Sequence, residues 1–223
     1  MKLKNKIELR NISFKYQEGN THIIKSLNLN IQKGDKIGLV GESGTGKSTL
    51  INIIMGLLKQ TGGKIYLDNK ELLTDKNQVI ANIGYVPQEV FLFEGELKKN
   101  IALGLDTEKI SEEKLNRASS AAQIIKFVKD LDKGFDSLVE ENGRNFSVGQ
   151  KQRIGVARAL YKDPDILILD ESTSSLDLET EEKFIEDVFN ISENKTLIFI
   201  SHKMSALNKC DKIFDLKQKV FIK

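Results

Sequence analysis

Gly41-Glu42-Ser43-Gly44-Thr45-Gly46-Lys47-Ser48 lies between an apolar run, Lys36 to Val40, and an amphipathic one, Leu50 to Leu58. The order reads as strand, glycine loop, helix, and the eight residues have the form G-x-x-x-x-G-K-S. Glycines let the backbone curl with successive N–H groups pointing inward, and a helix beginning near Lys47 adds the positive end of its dipole. Such a cradle suits a polyphosphate. The alternative is a glycine-rich turn that only joins strand to helix, and the flanking elements argue against it.

Upstream, Ile7 to Tyr16 reads as a strand whose parity changes. Ile7 and Leu9 share one face and Ile12, Phe14 and Tyr16 the other, as a bulge near Asn11 would produce. Ile23, Lys25, Leu27, Leu29 and Ile31 then alternate with mostly polar residues up to a turn at Lys33-Gly34-Asp35, so the opening is expected to be antiparallel. Downstream, Leu50, Ile53, Ile54, Leu57 and Leu58 fall on one helical face. Gly62-Gly63 turns the chain into a short strand, Lys64 to Leu67, and Ile83 to Val86 forms another that ends at Pro87-Gln88.

From Glu94 to about Asp163 the pattern is predominantly helical. Ser111 is the expected N-cap of a helix buried along Leu115, Ala118, Ala122 and Ile125; a loop follows at Glu140-Glu141-Asn142-Gly143, then a second helix from about Ser147 to Lys162. Ile166 to Leu169 is a continuous apolar run ahead of two acids, which suits a central parallel strand covered on both faces, its end expected to face the cradle. A charged helix from about Leu178 to Phe189, a buried strand Thr196 to Ile200 and strands at Lys212 to Leu216 and Val220 to Ile222 complete an α/β pattern.

Composition narrows the possibilities. The 223 residues carry 34 basic and 32 acidic side chains, a formal net charge of +2, so there is no basic field of the kind nucleic-acid binding favours and no nucleic-acid partner is expected. No apolar run approaches the ~18 residues of a membrane helix. Cys210 is the single cysteine, which rules out an intramolecular disulfide and is expected to be inert. Met1-Lys2-Leu3-Lys4 lacks the apolar core of a signal peptide, so a reducing cytosol is expected.

The chemistry is carried by a few side chains. Asp170 and Glu171 close the apolar strand: the first could hold Mg²⁺ together with the Ser48 hydroxyl, the second could deprotonate an attacking water. An acidic pair there could instead cap the next helix. Gln88, at a strand end, could reach a metal or a water through its amide. His202, after a buried strand, could donate to a terminal phosphate or be simply a surface or core residue. Tyr16 could stack on a base or merely pack.

Taken together, the order of segments resembles the nucleotide-binding domain of an ABC transporter. Tyr16 corresponds to the A-loop, Gly41 to Ser48 to Walker A, Gln88 to the Q-loop, Phe146 to Gln150 (FSVGQ) to the signature, Ile166 to Glu171 (ILILDE) to Walker B with its catalytic glutamate, Ser175-Leu176-Asp177 to the D-loop and His202 to the H-loop. The resemblance implies a P-loop NTPase core with a mostly parallel sheet, an N-terminal antiparallel β-subdomain and an inserted helical subdomain. Residues 1–93 and 164–223 would form the core with the β-subdomain, and 94–163 the helical subdomain that carries the signature.

It further implies ATP and Mg²⁺ as cofactors. ATP would be bound by Tyr16, Gly41, Glu42, Ser43, Gly44, Thr45, Gly46, Lys47, Ser48 and Thr49, and by Ser147, Gly149 and Gln150 from another subunit. Ser48, Gln88 and Asp170 would hold the metal, and Glu171, His202, Lys47 and Gln88 would carry the chemistry. The implied partners are a second nucleotide-binding domain, of the same or a different chain, arranged head to tail, and a transmembrane domain in the same polypeptide or a separate subunit, which would put the chain on the cytoplasmic face of a membrane.

Val86 to Phe93 followed by Asn100-Ile101, and Glu141-x-Gly143, resemble the exporter branch. One departure stands out: the family's signature is usually LSGGQ, and here Phe146 replaces the leucine and Val148 the first glycine. A non-transport ABC ATPase is the alternative, but such relatives carry long heptad arms or two cassettes, and neither is present. A module that dimerises on ATP with little turnover would suit Val148 but not an intact Glu171.

Overall fold

The computed structural model describes residues 2–16, 21–72, 82–173 and 176–223. In chain order the elements are β1 (Lys6–Phe14), β2 (Ile24–Gln32), β3 (Lys36–Val40), α1 (Lys47–Ile54), β4 (Gly62–Leu67) and β5 (Lys70–Glu71). Then come β6 (Ile83–Val86), β7 (Gly95–Glu96), α2 (Leu97–Ile101), α3 (Glu112–Ala121), α4 (Ile125–Lys129), β8 (Leu138–Val139) and α5 (Val148–Leu160). The last are β9 (Ile166–Asp170), α6 (Leu178–Ile191), β10 (Thr196–Ile200), α7 (Met204–Leu207), β11 (Lys212–Asp215) and β12 (Val220–Phe221). The chain divides into two compact units, Met1–Ile83 with Lys195–Lys223, and Gly84–Asn194.

In the first unit an antiparallel sheet runs β2-β1-β4-β5. Ile7 pairs with Ile31 and Leu9 with Leu29; the register then shifts before Ile12, and Asn11 sits at φ 53 in the left-handed region. The expected bulge is there, and it carries burial from Ile7 and Leu9 over to Ile12 and Phe14. β1 ends at Phe14, so Tyr16 lies past the strand rather than in it. A second irregularity, at Ser26 (φ 50), moves the inward position of β2 by one residue, so Ile24 is buried where the alternation pointed to Ile23.

The same unit holds a ladder in the order β12-β11-β3-β10, in which β3 pairs in parallel with both β10 and β11. All five residues of β10 are buried. That is why its sequence is continuously apolar rather than alternating. α1 is shorter than the apolar spacing suggests: the chain leaves the helix at Met55, Gly56 takes φ 74, and Leu57 is 70 % exposed instead of extending the buried stripe of Leu50, Ile53 and Ile54. Cys210 is buried, and burial pushes its thiol up to about 12, so it is protonated and inert.

In the second unit β9 lies beside β6, and every residue of β9 is buried. Each such aliphatic side chain contributes about 1.5–3 kcal/mol. Ser111 caps α3 by accepting a hydrogen bond from Lys114 N at 3.3 Å. The single helix expected through Ile125 is in fact two, because Gln123 takes φ 59 and breaks it; Leu115 and Ala118 belong to α3, and Val128 to α4. A two-stranded ladder, Gly95↔Val139 and Glu96↔Leu138, also interrupts the stretch read as helical. Arg153 Nη1 donates to Asp187 Oδ2 at 2.8 Å and so ties α5 to α6. Among the described residues no helix is long and apolar enough to cross a membrane.

Candidate functional site

The cradle belongs to the first unit. Gly46 precedes α1 at φ 96, and a Cβ there would come within 2.9 Å of Ile23 Cγ2, so the position needs glycine for both its backbone and its space. No side chain caps the N-terminus of α1, which leaves its dipole directed into the loop. Thr45 closes the turn, its N–H and its hydroxyl both donating to Glu42 O at 3.2 and 2.8 Å. Lys47 is buried, and its ammonium donates across the loop to Gly41 O at 2.8 Å and Glu42 O at 3.2 Å. A buried ammonium at an uncapped helix N-terminus has the chemistry to hold a polyanion.

Ser43, Gly44 and Ser48 face solvent and Thr49 is buried in the helix. The Glu42 carboxylate accepts from Lys217 Nζ at 2.7 Å, a pair joining the loop to the turn between β11 and β12. Elsewhere in this unit Tyr16 is 51 % exposed and meets Phe14 in a T-shaped contact, centroids 4.9 Å apart. His202 is exposed two residues after β10, in a turn where Ser201 Oγ accepts from Lys203 N at 3.0 Å.

The acids belong to the second unit. Asp170 ends β9 and is 8 % exposed; Tyr85, in β6, donates its phenol O–H to Asp170 Oδ2 at 3.0 Å. Burial, and then the Asp170 charge, push the Tyr85 phenol well above its usual range, so it stays a donor. Glu171 takes φ 48, a left-handed backbone that is strained for a residue with a side chain and turns the chain sharply off the strand. Gln88 is exposed, and its carbonyl accepts from Gln152 Nε2 at 2.9 Å.

The signature opens α5. Ser147 Oγ accepts from Gln150 N at 3.2 Å while Gln150 Oε1 accepts from Ser147 N at 2.8 Å, a capping box that fixes both side chains and leaves the serine proton to donate. Phe146 is buried edge to face on Phe127. A Cβ on Gly149 would lie 3.6 Å from Thr180. Val148 instead is 46 % exposed and, with Gln88, Val90, Phe91 and Lys151, lines a groove of about 430 Å³. Gly143, at φ 64, sits so close to Leu92 that a Cβ would come within 2.8 Å, and this links the Glu141-x-Gly143 turn to the segment after Gln88. Asp177 caps α6, accepting from Thr180 N at 3.0 Å; Ser175 lies outside the described residues.

The structure thus assembles Gly41 to Thr49 into one cradle on the first unit. On the second it gathers Ser147, Gly149 and Gln150 at one helix end. Tyr85 and Lys217 were invisible to the sequence pattern, since each acts on a residue remote in the chain.

A glycine cradle on a parallel strand, an acidic pair closing a buried strand and a serine-capped helix behind an F-S-V-G-Q stretch together define a P-loop NTPase of α/β fold. The family described as ABC transporter matches residues 24–174. The chain is 38 % identical over 208 residues to an ATP-dependent lipid A-core flippase of Alkalilimnicola ehrlichii, a match covering 93 % of this chain and 35 % of the flippase. It also resembles a solved structure of a bacterial Atm1-family ABC exporter with ATP bound, at a TM-score of 0.86 and 30 % identity over 100 % of this chain and 39 % of that one. The chain belongs to the ABC transporter family. It spans little more than a third of the length of those two relatives.

Proposed function

We propose that the chain binds ATP with Mg²⁺ and hydrolyses it, and that hydrolysis drives export or flipping of a substrate through a transmembrane partner. The observation that carries this is the cradle, in which the buried Lys47 ammonium donates to the loop carbonyls of Gly41 and Glu42 ahead of a helix N-terminus that no side chain caps. Lys47 exchanges those carbonyls for β- and γ-phosphate oxygens, and the loop N–H groups from Gly41 to Thr49 take the rest. The exposed ring of Tyr16 stacks on the adenine.

Ser48, Gln88 and Asp170 would hold Mg²⁺. Their hydroxyl, amide and carboxylate oxygens are the hard donors this ion takes, a few at a time, alongside substrate phosphates. Bound there, the ion neutralises charge on the phosphate oxygens. Glu171 takes the proton of the attacking water, Gln88 helps to orient that water, and His202 donates to the γ-phosphate.

The capped N-terminus of α5 offers the Ser147 proton, the Gly149 backbone and the Gln150 side chain to a second phosphate group. We take this to be the ATP of a second nucleotide-binding domain, in a head-to-tail pair with two-fold symmetry. The helical stretch 94–163 is then the subdomain that presents the signature, and 1–93 with 164–223 the core. The groove beside Gln88, with Phe91 63 % exposed and Val148 on its rim, takes a segment of the transmembrane partner on the cytoplasmic face of the membrane. Replacing Lys47 with alanine should abolish ATP binding in calorimetry, a loss of at least about a hundredfold; unchanged affinity would contradict the cradle.

A further inference from the structure

We propose that Tyr85 is a positioning residue for the metal: its phenol O–H holds Asp170 in the rotamer from which the carboxylate offers an oxygen to Mg²⁺. The inference rests on the Mg-ATP reading above and assigns a part of that site to a residue outside its motifs.

Tyr85 and Asp170 stand on neighbouring strands, β6 and β9, so both backbones are fixed by a ladder rather than by a loop. The phenol oxygen lies 3.0 Å from Asp170 Oδ2. At 8 % exposure Asp170 has little water to solvate its charge, so a donor at that oxygen helps to set which way the carboxylate turns. A phenol suits the task better than a cation would. It satisfies the oxygen without cancelling the charge, whereas a lysine or arginine in its place would compete with the metal for the carboxylate. A tyrosine also has only two side-chain torsions to fix, and here most of its body is packed away. Partners of this kind, which orient a metal ligand without touching the metal, typically govern affinity by 10–100-fold.

Tyr85→Phe keeps the ring and removes only the donor. The test is a calorimetric titration of a non-hydrolysable ATP analogue into the full chain, in EDTA and then across a series of Mg²⁺ concentrations. The variant should match the wild type in EDTA, while the Mg²⁺ concentration giving half of the metal-dependent gain in affinity rises roughly tenfold. An unchanged Mg²⁺ dependence overturns the proposal, as does an equal loss with and without metal, which would make Tyr85 a packing residue. A wild-type chain that fails to bind the analogue at all overturns the nucleotide-binding reading and this one with it.

Discussion

Asp68 follows β4 at φ 51, and its carboxylate accepts from the backbone N–H groups of Lys4, Asn5 and Lys6 at 2.8, 2.6 and 2.9 Å, so that one side chain anchors the start of β1. Desolvation pulls its pKa up, but the three backbone bonds favour the charged form and together hold it below the usual carboxylate range. A depressed folded value means that the stabilisation is complete above about pH 4 and is lost as the pH falls through that lower value. Asp68→Asn should therefore melt about 2–4 °C below the wild type at pH 7, and the two melting curves should converge near pH 2. A difference that persisted in acid would point to shape rather than charge. At this scale the residues of the glycine loop were legible because their spacing is itself the chemistry: curl, ammonium and hydroxyl must follow one another along the chain. Tyr85 and Lys217 were not, since nothing in their local sequence says that a neighbouring strand or turn will set them against Asp170 and Glu42.

Among the elements, the segment after Gln88 has no regular structure of its own up to β7 and is held by a side chain. Asn100, buried in α2, accepts from Phe93 N at 3.1 Å and donates to Phe93 O at 2.9 Å, pairing with that residue as a strand would. Arg158 of α5 completes the arrangement by donating to Asn100 O at 2.7 Å. Asn100→Ala should cost about 2–4 kcal/mol in urea denaturation, because it strands buried polar groups as well as removing bonds. A loss below about 0.5 kcal/mol would show that the segment does not depend on this clamp. Strand β9 was legible from its unbroken apolar run, and β6, β10 and α5 were placed close to their observed bounds. The break at Gln123, the end of α1 at Met55 and the shift at Ser26 were not, since each is a single residue taking a left-handed or turn conformation inside an otherwise consistent pattern. The β7–β8 ladder escaped for a related reason: two residues a side are too few to show a period.

For the molecule as a whole, the order of its motifs along the chain placed it in its family before any distance was known, and the comparisons agree. What motif order cannot supply is the division into two units, with the phosphate cradle on one and the acids and signature on the other, because compactness depends on contacts summed over the whole chain. The central claim is that ATP both joins two such domains and is consumed by Glu171. Glu171→Gln, examined by light scattering on a sizing column with and without Mg-ATP, tests it most directly. The account predicts a mass that doubles only with nucleotide, together with phosphate release reduced at least about a hundredfold; a variant that stays monomeric with Mg-ATP and still releases phosphate at the wild-type rate would contradict it.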